Sequence, residues 1–416
     1  MEAAQADYDK TSSVAMESEN LGGGEPGLEE LPHDLIKSVL SYLFLDDLDV
    51  LCLVSKKIGS TVGGADHLFM SESFRGASTG TNQEVHLSEA GMRRLMERFP
   101  CLNVLRLYGL AGVGDNLFSI MNESSSASTL HRIALHGCCL SYWCPTTLML
   151  ENLTHVTIMG GAIRAAFGSF FTSALSLREL AIGQCSSLRD EHVADISLQL
   201  KGTLESMTLH QCLRVRKPVL QFDNLVGLNL MGCFSLEDLP YFHCPSLRDL
   251  NLSFCFRIDG ELIQNIIDSL PRLQNLALVK CPRLRKLHIL SDTLYSLNVS
   301  LSNNLQTLSL SCCGLEVLEA TSCSSLKSFQ LDSKCIQELN LSMLPLQNAQ
   351  VAAPQLTHLK LCGCDCLVDA TIVCPNIQFV DICGTPIQPE RFRGKVKFLK
   401  HGCSHSRSFL SPSSRR

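Results

Sequence analysis

The sequence predicts an α/β solenoid, in which each coil adds one short strand to a long parallel sheet, preceded by a short helical module. Three observations predict it. One phrase recurs between Leu273 and Thr385, starting at Leu273, Leu294, Leu315, Ile336, Leu356 and Ile377, with spacings of 21, 21, 21, 20 and 21 residues. A fixed period of this length marks stacked coils rather than one closed core. Within each phrase apolar and polar residues alternate, as in Leu359-Lys360-Leu361. A strand turns successive side chains to opposite faces, so both leucines point inward and the lysine outward. A second phrase runs half a period out of step, from Leu284, Leu305, Leu326, Leu346 and Leu367. It reads as an extended return leg, because roughly ten residues leave no room for a three-turn helix and two loops.

The recurring phrase, L-x-x-L-x-L-x-x-(N/C), is the leucine-rich-repeat pattern. Earlier copies start at Leu102, Leu130, Leu153, Leu177, Leu204, Leu225 and Leu247, at spacings between 21 and 28 residues. The longer coils carry helix signals. After Cys255, Asp259 is a cap, Leu262, Ile263, Ile266, Ile267 and Leu270 form a buried stripe, and Pro271 is a stop. The convex side is therefore expected to change from helices to extended legs along the chain. The Leu273 series is assigned to the concave face.

The 416 residues, 45% hydrophobic, suffice for an ample core, and the net charge of −6 gives no global attraction to nucleic acid or membrane. No apolar run approaches the length of a membrane span. The N-terminal MEAAQADYDK lacks the apolar core of a signal peptide, so a cytoplasmic and/or nuclear location is expected. Residues 1–27 are acidic and nearly devoid of large apolar side chains, which predicts disorder. Residues 391–416 carry basic residues without an acid and read as a flexible tail, with Ser411-Pro412 a weak phosphorylation motif. Between residues 73 and 100 a linker leads to a helix with Met92, Leu95, Met96 and Phe99 on one side, ended by Pro100. This helix is expected to cap the solenoid, which occupies residues 101–390.

Residues 28–72 form the helical module. Pro32 suits the first turn of a helix, and Leu35, Ile36, Val39, Leu40 and Leu43 follow at helical spacing. Asp46 or Asp47 caps a second helix carrying Leu48, Leu51 and Cys52. So few residues make a small core, which leaves an apolar face for a partner. Leu31-Pro32, Asp34-Leu35-Ile36, Val39-Leu40, Tyr42-Leu43, Asp47-Leu48 and Leu53-Val54-Ser55-Lys56-Lys57 resemble an F-box, the module that docks onto the Skp-type adaptor of SCF ubiquitin ligases. The resemblance implies that Leu31, Pro32, Leu35, Ile36, Val39, Leu48, Leu51 and Val54 face the adaptor or the local core. Ile58 departs from it, standing where family members usually have an aromatic. The alternative is a helical hairpin that only caps the repeats.

The repeats add to the resemblance. The spacing from Cys185 to His192, the run Cys255, Ile258, Asp259, and the Cys-Pro junctions at Cys244, Cys281 and Cys374 are similar to the cysteine-containing repeats of F-box/leucine-rich-repeat proteins. The short alternating legs after Leu273 resemble the plant-type members. The likeness implies a non-catalytic subunit that reaches a cullin through the adaptor and positions a protein substrate. A scaffold or inhibitor acting outside any ligase is the alternative.

Twenty-one cysteines invite a metal or disulfide reading until their positions are examined. Cys138, Cys185, Cys212, Cys233, Cys255, Cys281, Cys323 and Cys364 all stand ninth in a phrase, where a small buried side chain packs in the turn after the strand. Cys362, Cys364 and Cys366 lack the paired spacing of a zinc site. No cofactor is expected. Phosphate loops, H-E-x-x-H and G-x-S-x-G are absent from the sequence. What can bind is the outward row: Arg106, Tyr108, His136, Met159, His210 and Met231 in the early coils are the candidate substrate anchors, with the reach common at hot spots. The later coils end with Glu319, Lys360 and Asp381 as the rival set.

Overall fold

A computed structural model describes residues 67–71, 89–108, 116–137, 149–160, 171–238, 241–389 and 396–401. The helical module and its eight adaptor-facing candidates, Leu31 to Val54, lie outside the described residues, as do residues 1–27 and Ser411-Pro412.

One phrase gives one strand. The early strands are five residues long: β1 (His67–Ser71), β2 (Val104–Tyr108), β3 (Arg132–His136), β4 (His155–Met159), β5 (Glu179–Gly183) and β6 (Ser206–His210). The short β7 (Val219–Gln221) pairs with β9 (Tyr241–His243) on a return leg. The long sheet continues through β8 (Gly227–Asn229), β10 (Asp249–Asn251), β11 (Asn275–Ala277), β13 (Ser296–Asn298) and β15 (Val317–Glu319), eleven parallel strands in all. Among the described residues four helices accompany the early and middle coils: α1 (Glu89–Arg98), α2 (Leu117–Glu123), α3 (Asp190–Leu200) and α4 (Gly260–Ser269).

The return legs then become strands, as the half-period phrase requires. β12 (Lys286–Leu290), β14 (Thr307–Ser311), β16 (Ser328–Asp332), β18 (Asn348–Ala352) and β20 (Asp369–Val373) form a second parallel sheet. A third contains β17 (Glu338–Asn340), β19 (His358–Lys360), β21 (Phe379–Asp381) and β22 (Phe398–Lys400). Thus the Leu273 series does continue the sheet of the early coils, up to β15. There the backbone ladder to the next coil is interrupted, and β17 opens a separate sheet.

The core is the stack of inward leucines and isoleucines between these layers, with Leu105, Leu209, Leu273, Leu294 and Leu359 fully buried. Asp259 caps α4 by accepting from the Leu262 N–H at 3.1 Å, and Ile263, Ile266 and Ile267 are buried beneath it. Met92, Leu95, Met96 and Phe99 are buried, so α1 closes onto the first coils.

Three elements differ from the sequence reading. Residues 67–71, placed with the helical module, form β1 and pair in parallel with β2. Residues 117–123, read only as the span between two phrases, form α2. Residues 398–400, read as flexible tail, form β22, which extends the third sheet by pairing with β21. β1 and β22 are short and depend on a neighbouring strand, a tertiary condition that local composition does not carry.

Two ladders lock the coils. In all twelve described phrases from Leu130 onward the eighth residue has a left-handed backbone, from Gly137 at φ 61° to Gly384 at φ 71°. Seven of these are not glycine, among them Phe254, Leu301 and Met343, where this conformation costs on the order of 1 kcal/mol. The compensation is a repeated bond: the eighth N–H donates to the seventh carbonyl of the next coil, as in Gln184 to His210 at 2.7 Å and Lys280 to Ser300 at 3.0 Å. From Cys212 onward the ninth-position cysteines make the second ladder. Each thiol donates back to the preceding coil's sixth carbonyl, as in Cys233 to Leu209 at 3.1 Å, Cys323 to Val299 at 3.2 Å and Cys364 to Leu341 at 3.0 Å. Ser302 makes the same bond to Leu278 with its hydroxyl at 3.0 Å.

Candidate functional site

In the early coils, β-alternation turns the third, fifth and seventh residues of each phrase away from the core. Register places Arg106, Ala134, Thr157, Ala181 and Thr208 in one row, and Tyr108, His136, Met159, Gly183 and His210 in the next. Five of the six candidate anchors are adjacent to, or aligned with, one another on this face. Met231 lies just past β8 and continues the second row, its carbonyl accepting from the Gln211 N–H at 3.0 Å. Arg106, His136, Met159, His210 and Met231 are all half-buried.

The row is sculpted by one glycine. A Cβ on Gly183 would stand 2.3 Å from the Met159 sulfur, so the methionine lies across the glycine toward His210. Burial, and then the charge of Arg106, push the His136 pKa below its ordinary value; burial does the same to His210. Both imidazoles are therefore neutral at neutral pH, and Arg106 is the fixed charge among the six.

The third-position row carries chemistry that the sequence reading passed over. Arg132 Nη2 lies 3.1 Å from His155 Nε2, which stands 3.2 Å from Glu179 Oε2. These side chains, with Arg106, Thr157 and Thr208, line a shallow cavity of about 180 Å³ over β2 to β6. The signal was available: alternation exposes position three as surely as five and seven. A second cavity, of about 280 Å³, lies over β6 to β13 and is walled by Thr208, Asn229, Asn251, Asn275 and Asn298.

Later coils use their outward polar groups differently. Asn229, Asn251, Asn298, Asn340 and Asp381 each accept from the N–H two residues on, at distances of 2.9 to 3.1 Å. At Ala277 and Glu319, where the fifth residue is neither Asn nor Asp, the serine hydroxyl of the previous coil takes that N–H: Ser253 for Val279, Ser300 for Thr321. With its seventh N–H drawn to a side chain, the strand ends two residues earlier. This is why the strands shorten from five residues to three at β8. Of the rival set, Asp381 is buried and paired with Lys400, and Glu319 bonds Asn298. Those two close coils, whereas the early row presents large side chains on a backbone that closes itself.

The buried thiols offer no nucleophile. Burial raises the pKa of Cys185, Cys244, Cys281 and Cys312 to about 12, and of Cys233, Cys323 and Cys364 to about 11. Among the described residues no three His, Cys, Asp or Glu side chains are grouped to hold a metal ion. None of the helices there is long and apolar enough to cross a membrane.

Comparison with known proteins identifies one domain. The F-box domain model matches residues 28–66. A curated relative, "Disease resistance protein RPS4B" of Arabidopsis thaliana, is 28% identical over 223 residues, 46% of this chain. The chain spans only 17% of that protein's length. Among solved structures, one in the yeast Rad7 and Elc1 complex is 13% identical over 95% of this chain and 94% of its own, with a TM-score of 0.33. One in the TLR13–ssRNA13 complex is 14% identical over 90% of this chain and 63% of its own, with a TM-score of 0.47. Neither score adds to the fold already described. The chain therefore carries an F-box domain at residues 28–66, followed by a parallel-sheet solenoid of leucine-rich-repeat type.

Proposed function

We propose that this protein is the substrate-recognition subunit of an SCF-type ubiquitin ligase. The observation that carries the reading is the F-box domain at residues 28–66 placed directly ahead of the solenoid. In this reading Leu31, Pro32, Leu35, Ile36, Val39, Leu48, Leu51 and Val54 bury their apolar side chains against a Skp-type adaptor, which links the chain to a cullin. The early outward face, centred on Arg106, Tyr108, His136, Met159, His210 and Met231, holds the protein to be ubiquitinated. The chain performs no chemistry itself, requires no cofactor, and works in the cytoplasm and/or nucleus.

The half-buried anchors support the assignment of that face. Each has part of its surface already fixed by packing, so partner binding orders little more of the side chain, and binding energy concentrates in such residues. Affinity capture with the full chain and with residues 28–66 deleted tests the whole reading. The full chain is expected to retain adaptor, cullin and substrate, and the deleted chain substrate alone. Capture of substrate without adaptor by both would make the protein a scaffold or inhibitor instead.

A further inference from the structure

A second charged surface lies away from the candidate anchors, on the rim where each coil leaves the long sheet. Arg189, Arg214, Arg216 and Arg257 come from the turns of consecutive and near-consecutive coils and line one open cavity of about 590 Å³. All four are exposed. The nearby acids are largely held by the framework. Asp190 accepts from the Arg216 and Lys217 N–H groups at 2.8 and 3.0 Å, which fixes the turn carrying Arg214 and Arg216. Glu237 bonds both Arg216, at 2.8 Å, and Arg257. Glu191 reaches Arg189 only at 4.0 Å. Among the described residues no carboxylate pairs with Arg214.

Apolar surface adjoins the arginines. Leu213 lines this cavity and is 45% exposed, and Phe256, beside Arg257, is 39% exposed. Phe256 stacks on Phe234 with ring centroids 4.7 Å apart. Large exposed apolar side chains next to a cationic row are the composition of a docking surface rather than of a solvated turn.

We propose that this rim binds an acidic peptide segment of another protein, carrying at least two carboxylates and a neighbouring aromatic or aliphatic side chain. Charge complementarity selects the occupant. The guanidiniums are strung along the solenoid over several coils, so they match carboxylates spaced along an extended chain better than one compact dianion. Glu237, shared between Arg216 and Arg257, already displays the pairing that an incoming carboxylate would make with Arg214 and Arg189. Leu213 and Phe256 receive the apolar side chain. The proposal concerns the solenoid alone and stands whether or not the F-box docks an adaptor.

Fluorescence anisotropy with the purified full chain tests it, using a labelled peptide of alternating Glu and Gly around one Phe. Binding is expected, with affinity falling steeply between about 0.05 and about 0.5 M salt. Arg214→Glu combined with Arg189→Gln should weaken it about tenfold or more. Leu213→Ser should weaken it without changing the salt slope, and Arg94→Gln, at an exposed position of α1, should leave it unchanged. Thermal melting accompanies each variant, and Arg214→Gln, which removes no ion pair, serves if the double variant melts early. Three results would overturn the proposal: equal binding of the Gln-for-Glu peptide, wild-type affinity in the arginine variants, or preference for a phosphoserine peptide of the same net charge.

Discussion

Lys400 Nζ stands 3.3 Å from Asp381 Oδ2 and ties the last described strand to the coil before it. Asp381 also accepts from the Cys383 N–H at 3.0 Å. Burial pushes its pKa up, but the Cys383 donors and Lys400 outweigh this and hold it below the ordinary value. Asp381→Ala is therefore expected to destabilise the end of the solenoid by about 1–3 kcal/mol. Hydrogen exchange localises the effect: protection should be lost at residues 396–400 and kept in β2 to β6. Because the folded pKa is depressed, this contribution is present above the ordinary Asp value and is lost as pH falls through the folded one.

The cysteine ladder makes a chemical prediction. Thiols raised to about 12, such as Cys185 and Cys281, present almost no thiolate at neutral pH. Among the described residues, a thiol reagent near pH 8 should modify the exposed Cys101 and Cys366 ahead of the buried thiols and leave Cys185 and Cys281 untouched until the chain is denatured. Mass spectrometry of the labelled peptides reads the order. Rapid labelling of Cys281 in the folded chain would contradict the packing described above.

Histidine protonation should weaken the early coils in mild acid. His136 and His210 have folded pKa values below the ordinary 6.5. The unfolded chain therefore takes up protons first, so stability is full above that value and declines as pH falls through the folded ones. Melting temperature should drop between about pH 7 and about pH 5, and a His136→Asn/His210→Asn variant should lose less over that range. Equal loss in both proteins would assign the acid sensitivity to other groups.

Helix α4 sits against β12 through a glycine. A Cβ on Gly260 would approach the Lys286 carbonyl oxygen to 2.0 Å, and backbone cannot move aside as a side chain can. Gly260→Ala should cost about 1–3 kcal/mol despite alanine's better helix propensity. Denaturant melting checks the sign. A stabilised variant would mean that α4 can lift off the sheet without loss.

Much of this fold was legible because its rule is repetitive. The period and the alternation in Leu359-Lys360-Leu361 gave the strands, their inward leucines and the half-period return legs, and Asp259 with Pro271 bounded α4 closely. What was hidden lies between coils. The Asn251 side chain captures the Ser253 N–H two residues on, a local bond open to any asparagine, but alternation alone does not say whether it or the ladder bond is made. β1 and β22 were missed because each depends on a neighbouring strand. The candidate row was half legible: alternation placed Arg106 and His136 on one face, yet the same alternation exposes Arg132, His155 and Glu179, whose mutual contacts required the register. Met159 over Gly183 required the three-dimensional placement as well.

Binding of the purified chain to a Skp-type adaptor tests the receptor reading most directly. Wild type and a Leu31→Ala/Pro32→Ala variant are compared by calorimetry, with thermal melting of the solenoid followed in parallel. Truncating buried apolar side chains at such an interface costs on the order of 1–4 kcal/mol each, so the double variant should bind about tenfold or more weakly while the repeats melt unchanged. Equal adaptor affinity in the two proteins, or no binding by either, would contradict it.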